Sequence, residues 1–304
     1  MSTVSSLSLL RTLTLATVLS GVAVALSAAP AAYQPIVYPA PDVSFTSVTG
    51  INARGDVVGQ YMALNVRHGF RMDKQGTYMS IDHPGAVSTN AWGINSAGDI
   101  SGDFQVAGGP VLGFALRDET WTTIDCSASL GATHTFAFGI SASGDVAGEY
   151  KLPGVALGTP GRAFLYANGT CTDITPPAAG AGPSVAVAWS LNESGEASGY
   201  YVAAGVTHGW MRDRRGVYTT IDHPDGSFTN LRGISASGDM VGLYRVGPTP
   251  NRGFFRTADG IFSPLGYPGA AVNRALGINA RGDVVGDSRG GTCPIASCGW
   301  VLRR

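Results

Sequence analysis

One phrase organises the hydrophobic and polar positions of this chain. An apolar run ending in Gly-Ile-Asn meets a polar reverse turn, Asn-x-x-Gly-Asp, and a second apolar run through Val-Val-Gly follows at once. The phrase reads Gly50-Ile-Asn-Ala-Arg-Gly-Asp-Val-Val-Gly59 and recurs from Gly93, Gly139, Gly233 and Gly277, with a degenerate copy from Ser190. Successive starts lie 43, 46, 51, 43 and 44 residues apart. Repeats of about 40 to 50 residues are the period of four-stranded propeller blades.

Each repeat reads as four short strands. The first ends at Gly-Ile-Asn, and the glycine of the following turn supplies positive φ. The second carries an aromatic residue two positions after its last glycine, at Tyr61, Phe104, Tyr150, Tyr201 and Tyr244, with Ser288 the exception. The third opens at pairs such as Gly69-Phe70, Gly113-Phe114 and Gly209-Trp210. Tight turns such as Asn168-Gly169 and Asp259-Gly260 lead into the fourth, as hairpin chemistry requires. The fourth strands include Tyr78–Asp82, Trp121–Asp125 and Tyr218–Asp222.

The sixth copy has three strands, while an unclaimed strand, Gln34-Pro-Ile-Val-Tyr38, precedes the first. The expected fold is therefore all-β: a six-bladed β-propeller of four-stranded antiparallel blades, its last blade closed by the N-terminal strand. A shift of 140 residues also superposes Tyr78-Met-Ser-Ile-Asp-His-Pro84 on Tyr218-Thr-Thr-Ile-Asp-His-Pro224, so the six repeats read as a duplicated set of three.

The combination of Gly-Ile-Asn-x-x-Gly-Asp-Val-Val-Gly with a later His-Gly-Phe or Arg-Ala-Phe resembles the HAF family of predicted extracellular repeats. The resemblance covers essentially all of residues 33–304. The histidine of the family's His-Ala-Phe triplet stands only at His68 and His208, and its alanine only at Ala163. The resemblance implies export and repeat architecture, and it implies no activity.

Composition agrees with strands and turns. The chain of 304 residues holds 43 glycines and 17 prolines, with only 13% charged and 44% hydrophobic residues. A net charge of −1 gives no electrostatic reason for a nucleic-acid partner or an anionic membrane. Arg11, an apolar stretch from Leu13 to Leu26 and the small residues Ser27–Ala32 have the order of a secretory signal peptide. Residues 1–32 are read as that leader, cleaved at about 28–32, and residues 33–304 as one domain. The mature protein is then secreted or periplasmic, with no membrane span, and is read as a monomer. Cys293 and Cys298 are expected to form a disulfide. Spacing leaves open whether Cys126 and Cys171 pair.

Candidate chemistry falls where loops vary. Strand alternation puts the regular Asn-x-x-Gly-Asp turns on one face of the ring. The unequal loops, among them Lys151–Gly161, Thr175–Val185 and Cys126–Thr135, lie on the other, where a rigid scaffold usually carries recognition. The expected ligand-binding residues are His68, Arg162, His208 and Arg252 at the starts of third strands, His83 and His223 at the ends of fourth strands, and His134 in a crossover. The Asp82-His83 and Asp222-His223 dipeptides invite an acid–base reading, but neighbours along a strand point to opposite faces. No metal site is expected, because two histidines per blade lack a third ligand, and no cofactor is implied. The leading expectation is a binding module for an extracellular glycan or protein. The alternatives are a polysaccharide lyase or hydrolase on the same scaffold, or a passive cell-envelope component.

Overall fold

In every repeat the phrase folds as a hairpin, and two further antiparallel strands extend it. The computed structural model describes residues 32–177, 185–291 and 293–304. The leader lies outside these residues except for Ala32, as does most of the Thr175–Val185 crossover.

The first strand, β1 (Tyr33–Ile36), pairs at the far end of the sequence. The strands β2 (Val43–Ile51), β3 (Val57–Ala63), β4 (Val66–Met72) and β5 (Tyr78–Ile81) make one sheet in that order. A second holds β6 (Ser88–Ile94), β7 (Ile100–Gln105), β8 (Val111–Arg117) and β9 (Thr120–Ile124). One helical turn, α1 (Ser127–Leu130), precedes the third sheet of β10 (His134–Ile140), β11 (Val146–Lys151), β12 (Arg162–Ala167) and β13 (Thr170–Asp173). Then β14 (Val185–Leu191), β15 (Ala197–Ala203), β16 (Val206–Arg212) and β17 (Tyr218–Ile221) form one antiparallel set. A further set holds β18 (Phe228–Ile234), β19 (Met240–Arg245), β20 (Arg252–Arg256) and β21 (Phe262–Leu265). Finally β22 (Ala270–Ile278), β23 (Val284–Gly290) and β24 (Cys298–Leu302) take β1 as their outer strand, in the order β1-β24-β23-β22.

The architecture is an all-β propeller of four-stranded antiparallel sheets. The expected six separate sheets need a correction. Hydrogen bonding gives four separate four-stranded sheets and one of eight strands, because a parallel bridge between Thr207 and Phe228 joins the sets β14–β17 and β18–β21. The joint is one residue pair wide. The N-terminal strand starts and ends earlier than expected, and the fourth strands stop before Asp82, Asp125 and Asp222.

Packing follows from the phrase. Its second-strand glycines let three strands close up: a Cβ on Gly102 would lie 2.1 Å from the Asn90 carbonyl oxygen and 2.4 Å from the Phe114 ring. The third-strand aromatics Phe70, Phe114, Phe164, Trp210, Phe254 and Trp300 are all buried. Each contributes roughly 2–3 kcal/mol of apolar burial.

The Asn of the phrase builds its turn and reaches the next one. Asn52 Oδ1 accepts from the N–H groups of Arg54, Gly55 and Asp56, each at 3.0 Å, and its Nδ2 donates to the Asn95 carbonyl at 3.2 Å. Asn95 reaches Ser141 and Asn192 reaches Ser235 in the same way, both at 3.0 Å. Asn279 donates to the Asn52 carbonyl at 3.0 Å, so the last repeat is joined to the first. The repeating aspartates serve these turns. Asn279 also donates to Asp283 at 2.9 Å, and hydrogen bonds and nearby arginines outweigh desolvation to hold the Asp56 and Asp283 carboxyls below the usual range.

Both cysteine pairs are disulfides. Cys126–Cys171 ties the segment at α1 to β13 across a separation of 45 residues, and Cys293–Cys298 closes a local loop. Loop-closure entropy makes the first worth about 4 kcal/mol and the second about half that.

Candidate functional site: the axial funnel

Every innermost strand carries a β-bulge at the same place. In β2 the register passes from Val48 opposite Gly59 to Gly50 opposite Val58, leaving Thr49 as the extra residue. The same slip leaves Trp92, Phe138, Trp189, Arg232 and Leu276 unpaired in β6, β10, β14, β18 and β22. A bulge re-aims a side chain and kinks its strand. Here six bulges set one side chain from each repeat around a common cavity.

That cavity is a small open funnel of about 80 Å³. The wall is Gly-Ile-Asn backbone, and the mouth is formed by turn residues such as Asn52, Asn192, Asn279 and Glu193. It therefore opens on the face of the regular turns. Glu193 accepts from both the N–H and the hydroxyl of Ser96, at 2.7 and 2.6 Å, a link between the turns of the second and fourth repeats. Trp92, Phe138 and Trp189 form a compact cluster, with ring centroids 5.3 Å apart for Trp92–Phe138, 4.3 Å for Phe138–Trp189 and 5.9 Å for Trp92–Trp189. The Arg232 guanidinium lies over the Trp189 ring, 3.7 Å from its centroid. Burial, and then the neighbouring Arg274, bring its pKa down to about 9.

Two residues before the bulge, every inner strand but β18, where Asn230 faces Leu243, meets a polar residue across the hairpin. Asn90 donates to Asp103 at 2.8 Å, and the Trp92 indole N–H donates to the same carboxylate. Burial outweighs these bonds and raises Asp103 to a pKa of about 6. The Arg274 guanidinium grips Asp287 with two donors, and Ser47 donates to Asp287 at 2.7 Å. Lys151 pairs with buried Glu149 at 2.6 Å, and burial still raises the Glu149 pKa. Burial, reinforced by Glu149, pushes Tyr200 up to about 12.

None of the residues chosen from sequence lines the funnel. His68 Nδ1 meets Asp82 at 2.9 Å and His208 Nδ1 meets Asp222 at 2.8 Å, each imidazole stacked on a tyrosine, Tyr61 or Tyr201. Arg162 occupies the same slot and pairs with Asp173 at 3.2 Å. The slot is a recurring cross-strand pair that joins a carboxylate to an imidazole or a guanidinium. His83 and His223 stack on aromatic residues of the following set, Phe104 and Tyr244, with centroids 3.6 and 3.7 Å apart. Desolvation lowers the pKa of both. His134 Nδ1 accepts the Val111 N–H at 3.0 Å, and Arg252 is exposed at the start of β20. In sequence the position before each Gly-Ile reads as ordinary strand, which hides the funnel residues. Its variability (Thr, Trp, Phe, Trp, Arg, Leu) inside a regular phrase is the signal that marks it.

No protein-family profile matches the sequence, and no curated protein is similar to it. Similarity to solved structures is one of fold. TolB from Acinetobacter baumannii superposes with a TM-score of 0.50 at 13% identity, covering 73% of this chain and 54% of that one. The chain thus spans about half the length of that TolB. Virginiamycin B lyase from Staphylococcus aureus gives 0.48 at 12% identity over 90% of this chain and 100% of that one. A mutant of Aleuria aurantia lectin in complex with Fucalpha1-6GlcNAc gives 0.49 at 12% identity, over 86% and 96%.

Proposed function

We propose that this chain is an exported, six-bladed binding module of HAF-type repeats that takes a carbohydrate into its axial funnel. The eight-stranded sheet counts as two blades on this reading, since each half repeats the four-strand antiparallel pattern. Two disulfides fit an oxidising compartment. The observation that carries the proposal is the ring of six bulges, which presents one variable side chain per repeat on an otherwise constant wall. Three of the six are aromatic, and aromatic faces in a concave site suit the C–H face of a pyranose ring.

A glycan array probed with the wild type and two variants tests this. Trp189→Ala removes a half-buried ring of the aromatic cluster whose indole N–H holds no partner among the described residues, so the fold should survive. Binding should fall at least tenfold in Trp189→Ala and persist when His68, Arg162, His208 and Arg252 are all changed to alanine. The opposite pattern would return recognition to the variable loops.

A further inference from the structure

The funnel floor has a chemical bias toward acceptors. Two of its side-chain atoms are buried without a hydrogen-bond partner, the Trp189 indole Nε1 and the Arg232 Nε. Both are donors. Other orphaned donors among the described residues, such as those of Trp210, Arg245 and Trp300, do not line the funnel. The neighbouring ionisable groups are already engaged: Asp287 by Arg274, Glu149 by Lys151, and Asp103 by Asn90 and Trp92. Arg232 has no hydrogen-bonded partner, with Asp287 and Tyr200 acting on it only through space, and it holds its place by stacking on Trp189. A stacked guanidinium keeps its N–H edge free for in-plane, bidentate bonding.

We infer that the funnel selects an acidic sugar, a uronate whose carboxylate is received by Arg232 and the Trp189 N–H while Trp92 and Phe138 cover the ring. This rests on the carbohydrate reading above and adds the charge of the ligand. A neutral sugar would leave the guanidinium unpaired beside Arg274, which already disfavours its charge. Glu193 at the mouth adds a carboxylate of its own and so orients the ligand acid-end inward.

Calorimetric titration of the full mature protein with glucuronate, galacturonate and the matching neutral sugars tests the inference. A uronate should bind about 10- to 100-fold more tightly than its neutral counterpart, the scale of a charge-assisted pair. Arg232→Gln should erase that discrimination, bringing the uronate's affinity down to that of its neutral counterpart. Arg232→Lys keeps the charge but loses the fork, so it should retain part of the preference and guards against a folding defect in the first variant. Equal binding of acidic and neutral sugars, unchanged in Arg232→Gln, overturns the acidic selection and leaves the carbohydrate reading standing. Binding of a short peptide through its free C-terminal carboxylate, with no sugar bound, overturns both.

Discussion

At Asp103 burial and titration are linked within the acidic range. Its carboxyl titrates near 3.9 in an unfolded chain and at about 6 in the folded protein, because burial penalises the charged form. Between those values the native state holds a proton that the unfolded state has released. Stability should therefore fall as pH rises from about 4 to about 6, by on the order of 3 kcal/mol, and level off above that. Asp103→Asn removes the titration and should flatten this segment of the profile, measured by urea unfolding at pH 4 and 6.5. Parallel profiles for the two proteins would mean that Asp103 is not protonated on folding in this range. The histidines are a contrast. They were legible as a pattern from the 140-residue shift, but their partners were not: Asp82 adjoins His83 in sequence and bonds His68 across the hairpin.

At the level of the strand, the phrase encodes more than a turn. Gly102 stands where a methyl group would strike backbone 2.1 Å away, which no side-chain rotation relieves. Gly102→Ala should cost at least about 3 kcal/mol or prevent folding, whereas Gly158→Ala, with nothing within 4 Å, should stay within about 0.5 kcal/mol. Denaturant midpoints of the two variants make the comparison, and equal midpoints would refute the close-packing argument. Strands and turns were readable because period, glycine placement and Asn-Gly chemistry agree. The bulges were not. A bulge leaves the composition of a strand unchanged and shifts register by one residue, so Arg232 and Trp189 look like any other strand positions until the pairing partners Leu231–Gly242 and Ala188–Gly199 are known.

For the molecule as a whole, the link from last repeat to first and the funnel mouth lie at one end of the axis. Strand bookkeeping correctly sent β1 to β24, where Tyr33 faces Leu302 and Ile36 faces Gly299. The variable loops are where sequence places a site, and the regular turns that join repeat to repeat frame the funnel mouth. Hydrogen exchange with and without a saturating amount of the sugar the array selects is the most direct test of where recognition lies. Protection should rise at the amides of residues 50–53, 93–96, 190–193, 233–236 and 277–280, with no change in the loops at 64–66, 106–110 and 152–161. Protection confined to those loops, with the turns unaffected, would contradict binding in the axial funnel.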